Sequence, residues 1–243
     1  MSYDKEFEEI KYSSDSEEIN EFLIKIAHEP REKYLSYINY FIDNISKELL
    51  NKIRVNLVYL IGEIASVAAI PSDFLDFLKN QYYSSDRWER NEIIKAFKNI
   101  IKHQHIGKDY VDLIASAVKE DYLILKENAF EVLLELNNIR EENIQDIILS
   151  IDSNEREIIK LARKVLQKVI KNKEKLFTIL DNNDIYKYID KIAIRTLLLT
   201  FFKTVMSVER FREQILNSEW EKHVKTLFLD EIDTYEKILL QNP

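Results

Sequence analysis

Apolar residues recur at helical spacing along most of this chain. Between Ser85 and Ile101, the residues Ile93, Ile94 and Phe97 fall on one face and charged residues on the other, a pattern typical of an amphipathic helix. Equivalent helices are predicted elsewhere, each with a basic residue near its start and apolar residues soon after it. The five basic residues are Arg54, Arg90, Lys126, Lys160 and Arg195.

These basic residues are separated by 36, 36, 34 and 35 positions. A period in the mid-thirties is typical of stacked helical repeats. An apolar residue directly precedes the basic one in four of the five copies, and Glu89 is the exception. The fourth copy departs from this pattern, so we expect a local shift there. After Lys160 the apolar set is displaced to Leu161, Ala162, Val165 and Leu166.

A second set of helices is predicted between the first five. Its apolar groups lie at 74–78, 110–114 and 144–148, and polar breaks such as "NQYYSSD" and "LNNIREEN" separate the two sets. One helix pair of this size cannot bury its apolar face alone, whereas stacked pairs bury it on both sides. The alternative is an irregular helical bundle in which the spacing is coincidental.

We therefore predict an all-α fold: a right-handed α-solenoid of about five to six antiparallel helix pairs, in a single domain that takes in the whole chain. The repeats occupy 30–217. Segment 1–29 supplies an N-terminal segment and a short helix that caps the stack, and the N-cap residue of this helix is predicted to be Asp15 or Ser16. Segment 218–243 forms a C-terminal capping helix with a polar outer face, as the end of a stack requires.

Composition supports helices over strands. The 243 residues include only two glycines and three prolines, far below average usage, and β-rich folds need many such turn residues. The absence of cysteine excludes disulfides and cysteine-ligated zinc and fits a reducing cytoplasm. The acidic N-terminus does not have the pattern of a signal peptide, and no apolar stretch has the ~18 residues of a membrane span. We expect a cytoplasmic protein.

The repeated pattern resembles HEAT-like repeats. The resemblance rests on an "I-R" or "I-K" early in the second helix of a pair, as in "KIRVNLVYLI", "EIIKLARKVL" and "IAIRTLLLTFF", and it covers about 30–217. The usual proline of the first helix is matched only by Pro71, and the signature of tetratricopeptide repeats is absent. In HEAT-like arrays the second helices line a concave surface, so the resemblance implies such a surface here.

The second helices are basic although the protein is acidic. They carry about +8 in a chain whose net charge is −8, so the rest of the chain carries about −16. On a concave surface these cations form a basic groove, which concentrates acidic partners. Two alternatives remain open: a solvated face with i±4 ion pairs, or basic side chains that bond carbonyls of the next repeat. The candidate groove residues are Arg54, Trp88, Arg90, Lys126, Arg156, Lys160, Arg163, Lys164, Lys168 and Arg195.

Trp88 distinguishes its helix from the other second helices, which have no tryptophan at the corresponding position. An exposed tryptophan is a good binding anchor, and a buried one packs between repeats. Trp88 and Glu92 share a helical face, which weakly resembles the aromatic and carboxylate pair of HEAT-like DNA alkylation-repair glycosylases. The carboxylate is Glu instead of Asp, and the middle repeats have no second tryptophan. The resemblance implies a glycosylase-like activity as one alternative.

No other motif points to catalysis. His103 and His105 have no evident third metal ligand, and no glycine-rich phosphate loop occurs. We expect no cofactor, no metal and no enzymatic activity. The favoured function is a scaffold or adaptor that holds an acidic protein partner in the basic groove. The alternatives are nucleic-acid binding through the same groove, and a partner-specific inhibitor or immunity-type protein whose acidic body faces a basic toxin.

Overall fold

The computed structural model describes residues 3–151, 155–202 and 207–241, and every element in these ranges is a helix. The all-α prediction is confirmed. Two short 3-10 helices, Glu32–Tyr34 and Asn182–Lys187, connect longer ones. The α-helices are α1 (Tyr3–Ile10), α2 (Ser16–Ala27), α3 (Leu35–Asn44), α4 (Lys47–Ile64), α5 (Ser72–Ser84), α6 (Arg87–His103), α7 (Lys108–Ala117), α8 (Leu123–Glu135), α9 (Glu141–Leu149), α10 (Arg156–Val169), α11 (Lys173–Asp181), α12 (Lys191–Phe201), α13 (Val208–Asn217) and α14 (Lys222–Gln241).

The chain forms two compact units, Met1–Leu113 and Ile114–Pro243, and the division falls within α7. In the N-terminal unit α2 packs against α4, and α4 against α6. In the C-terminal unit α8, α10, α12 and α14 pack in the same sequential way, and α9 packs against α11. Sequential packing of helix pairs is the arrangement of a helical repeat protein.

Hydrogen bonds between neighbouring repeats explain the sequence period. Asn56 donates to the side chain of Asn20 over 2.7 Å, and Asn99 donates to the carbonyl of Gly62 over 3.0 Å. The two residues of each pair are 36 and 37 positions apart. The mid-thirties period is therefore the number of residues along the chain between groups that meet across adjacent repeats.

Side-chain caps set the starts of α2 and α6. The Asp86 carboxylate accepts hydrogen bonds from the backbone N–H groups of Trp88 and Glu89 at 2.9 and 3.0 Å, so α6 begins at Arg87, two residues after the predicted start. Asp15 caps α2 by the same means, as predicted. Such caps satisfy N–H groups that the helix itself leaves unpaired.

Gly62 marks the closest approach of α4 and α6. A Cβ atom at this position would lie 3.2 Å from the Cα of Ala96, tighter than ordinary van der Waals contact. The glycine lies inside a helix, where it costs about 1 kcal/mol relative to alanine. Its place is explained by this close packing of two stacked helices.

The N-terminal segment forms a helix that the sequence did not predict. This helix, α1, packs its Phe7 on Tyr37 with ring centroids 3.9 Å apart. The last helix begins at Lys222 instead of Ser218 and packs against α13. Among the described residues no helix combines the length and apolar character needed to cross a bilayer.

Candidate partner-binding face of the C-terminal unit

Helix α10 separates apolar from basic residues sharply. Its buried residues are Ile158, Ala162, Val165 and Leu166, spaced three and four apart so that they share one face. The rest of the helix carries five cations and a single carboxylate, Glu157. The displaced apolar set predicted after Lys160 is thus largely the buried face of α10, although Leu161 is only partly buried.

Three cations of α10 form an exposed row, which we call the basic stripe: Arg156, Lys160 and Lys164. They are spaced at i, i+4 and i+8, so they lie along one side of the helix. Lys160 pairs with Glu157 at 3.1 Å, and both side chains are well exposed, so this pair contributes little. No carboxylate among the described residues forms an ion pair with Arg156 or Lys164.

Two other cations of α10 serve the fold. Arg163 Nη2 donates to the carbonyl of Leu199 over 2.9 Å, and Lys168 Nζ donates to the carbonyls of Leu134 and Leu136 over 2.6 Å. Burial lowers the pKa of Lys168. Their carbonyl partners lie in the next and the preceding repeat, which matches the alternative in which basic residues tie repeats together.

Arg195 on α12 pairs with Glu231 of α14 and is also exposed to solvent. Its Nε and Nη2 donate to the two oxygens of Glu231 over 2.5 and 3.2 Å. The carboxylate raises the pKa of Arg195. The Glu231 side chain is 5% exposed and that of Arg195 is 56% exposed. The pair joins α12 to α14 while one side of the guanidinium remains accessible.

An apolar cavity of about 340 Å³ lies beside this ion pair, between α12 and α14. Leu199 and Ile238 are 49% and 58% exposed, so the mouth of the cavity is open and apolar. We call it the α12–α14 cavity. Its lining residues are Arg195, Leu198, Leu199, Glu231, Thr234, Tyr235 and Ile238.

Three candidate groove residues are held in the packing of their units. Arg54 pairs with Glu89 at 2.5 Å, and their side chains are only 18% and 4% exposed. Arg90 Nε donates to the carbonyl of Tyr82 over 3.2 Å, and its guanidinium lies 5.5 Å from the centre of the Tyr82 ring. Lys126 is buried, with 8% of its surface exposed.

Trp88 lies on the surface of the N-terminal unit. It is 57% exposed, and the Arg87 guanidinium lies 5.4 Å from its ring centre. Glu92, one turn further along α6, pairs with Lys95 at 2.7 Å. Trp88 therefore matches the binding-anchor alternative in its exposure, and the neighbouring carboxylate is engaged by a lysine.

His103 and His105 lie at the end of α6 and after it. His103 Nε2 lies 3.0 Å from the carbonyl of Ser66 in the preceding repeat, and His105 is exposed after the end of α6. Within the described ranges no three potential metal ligands cluster together.

The apolar spacing after Arg195 predicts that Leu199 is buried, and the polar outer face of the C-terminal capping helix predicts that Glu231 is exposed. Neither pattern indicates the α12–α14 cavity. Glu231 is instead 4% exposed. The spacing of 36 positions from Arg195 is the feature that could have indicated this pair, since it equals the repeat period.

The comparisons with known proteins concern the fold. No family model matches this chain, and no curated protein does either. A similar solved structure is the crystal structure of an engineered protein from the Northeast Structural Genomics Consortium, 15% identical, with a TM-score of 0.53 and coverage of 96% of this chain and 98% of that chain. At this identity the likeness shows the fold alone: the chain is a helical repeat protein.

Proposed function

We propose that this protein is a non-catalytic, HEAT-like scaffold or adaptor that holds an acidic protein segment on the exposed surface of α10 and α12. The observation that carries the proposal is the basic stripe. Its cations point away from the core on a helix whose other face is buried. We keep a cytoplasmic location as part of the proposal because the chain contains no cysteine.

The difference between carbonyl-bound and exposed cations on α10 supports this proposal. Arg163 and Lys168 donate to carbonyls of adjacent repeats, whereas Arg156, Lys160 and Lys164 remain exposed on α10. Lys191 adds an exposed cation at the start of α12. A local excess of positive charge on an acidic protein attracts acidic partners by electrostatic steering.

A selection from displayed random 12-residue peptides on the immobilised full chain tests the proposal. We expect enrichment of acidic sequences. The triple variant Arg156→Glu, Lys160→Glu and Lys164→Glu should lose at least tenfold in affinity for the most enriched peptide.

The matched control carries the same change in charge elsewhere: Lys5→Glu, Lys47→Glu and Lys108→Glu, all at exposed positions. It should retain affinity within about threefold. Equal losses in the two variants, or enrichment without acidic residues, would reject a specific role of the basic stripe.

A labelled DNA duplex, titrated at 50 and 200 mM NaCl, tests the nucleic-acid alternative. A phosphate binder loses affinity steeply with salt because binding releases counterions. Binding that is tighter than that of the peptide, lost steeply with salt, and abolished by the triple variant would favour nucleic acid over protein.

A further inference from the structure

We propose that the α12–α14 cavity receives one bulky apolar side chain of the acidic segment, while Arg195 and the basic stripe bind its carboxylates. This inference rests on the proposed function and names the kind of segment that fits. Three observations carry it: the size of the cavity, the exposure of its mouth, and the continuity of positive charge from α12 to α10.

The cavity is large enough for an aliphatic or aromatic side chain. Its volume of about 340 Å³ is at the lower end of the ~300–1,000 Å³ typical of ligand pockets. Leu198 and Tyr235 line it, and the Tyr235 ring packs against Phe202 with centroids 5.0 Å apart. A side chain that enters would meet apolar surface on both helices.

The residues that line the cavity expose apolar surface to water. Leu199 on α12 and Ile238 on α14 both line the cavity and are about half exposed. When a partner covers exposed aliphatic side chains, their removal from water makes the free energy of binding more favourable. An apolar anchor in the cavity would bury both.

Cationic side chains lie at the cavity and on the neighbouring helix α10. Arg195 lines the cavity and uses Nε and Nη2 on Glu231, which leaves the outer side of its guanidinium accessible. Arg163 donates to the carbonyl of Leu199, so α10 packs against α12 at one of the residues that line the cavity. Lys164 follows Arg163 in sequence and is exposed.

The geometry predicts the spacing within the partner. Packed helices lie about 8–10 Å apart, and an extended chain advances about 3.3 Å per residue. The cavity lies between α12 and α14, so it is about one and a half such spacings from α10. An acidic residue about four positions from the apolar anchor therefore reaches the basic stripe when the anchor occupies the cavity. A segment of this kind combines an apolar anchor with charges that fix its direction.

Fluorescence anisotropy with the most enriched 12-residue peptide, labelled with fluorescein, tests the inference. Replacing its bulky apolar residue by alanine, or changing Leu199→Ser in the protein, should each weaken binding about tenfold, because each removes buried apolar surface. Leu216→Ser is the control, since Leu216 is 53% exposed outside the cavity; its affinity should stay within twofold.

The outcomes separate the two proposals. If reversal of the basic stripe weakens binding and Leu199→Ser does not, the cavity inference is wrong and the proposed function stands. If Leu199→Ser weakens binding and reversal of the stripe does not, the acidic character of the partner is wrong and both proposals fall. Both also fall if no peptide is enriched.

Discussion

Two arginine–glutamate pairs join stacked helices of this protein in the same way and in different surroundings. Arg54 on α4 and Arg195 on α12 each reach a glutamate about one repeat later, at 2.5 Å in both cases. Both glutamates are buried, but the Arg54 side chain is 18% exposed and the Arg195 side chain 56%. The two sites therefore differ in the solvent exposure of the arginine and not in the length of the ion pair.

This difference shows how a repeated structural contact can become accessible for binding. Around Arg54 the surrounding side chains close over the guanidinium, and the pair contributes to packing. Around Arg195 a cavity remains between α12 and α14, so the same contact leaves part of the guanidinium open. The repeated basic position therefore indicates a contact between stacked helices. The α12–α14 cavity beside one of these positions indicates the candidate binding site.

The largest expected effect is that of Arg54→Ala. It leaves the Glu89 carboxylate, 4% exposed, without its cation under a nearly closed surface, and breaking a buried pair typically costs about 3–5 kcal/mol. We expect a loss of about 3 kcal/mol in the free energy of unfolding, measured by urea titration. The control is Arg31→Ala, from an exposed pair, with a loss below about 0.5 kcal/mol; equal losses would contradict the burial argument.

The corresponding change Arg195→Ala should cost less, about 1 kcal/mol. Removal of this half-exposed side chain opens Glu231 to water, which solvates the carboxylate and offsets the lost pair. The same urea titration measures it. A loss as large as that of Arg54→Ala would show that exposure of the arginine does not separate the two pairs.

Salt should separate the pairs by a smaller margin. Double-mutant cycles give the coupling free energy of each pair, and 1 M NaCl shortens the Debye length to about 3 Å. We expect the coupling of Arg195 with Glu231 to fall by about half between 0.1 and 1 M NaCl. The coupling of Arg54 with Glu89 should change little, and a parallel decrease would contradict the comparison.

Trp88→Ala should have the smallest effect on stability, within about 0.5 kcal/mol. The side chain is 57% exposed, and substitutions at exposed positions rarely change stability by more. Thermal unfolding followed by circular dichroism checks this. A loss above about 2 kcal/mol would mean that Trp88 packs within the N-terminal unit in solution.

The sequence period allowed the stacking to be predicted because hydrogen-bonding residues of adjacent repeats recur at that period. The ion pair between repeats was not predicted. Glu89 breaks the apolar pattern at the residue before the basic position, and the structure shows why: its buried carboxylate pairs with Arg54. A deviation from a repeated apolar position is the feature that could have indicated this pair.

The candidate site could be predicted only in part. The basic run that begins at Arg156 was evident, but its division into exposed and carbonyl-bound cations was not. Whether Arg163 meets solvent or the carbonyl of Leu199 depends on the axial offset of α10 and α12, which apolar spacing does not specify. The cavity beside Arg195 likewise depends on the distance between α12 and α14. The apolar spacing in the sequence does not specify that distance.

Lysine reactivity in the presence of the selected acidic peptide tests the central claim most directly. Lysines are acetylated with and without the peptide, and modification is quantified by mass spectrometry. We predict that labelling of Lys160, Lys164 and Lys191 falls at least threefold, while labelling of Lys5 and Lys47 is unchanged. Uniform protection, or protection confined to the lysines of the N-terminal unit, would contradict the assignment of the binding face to α10 and α12.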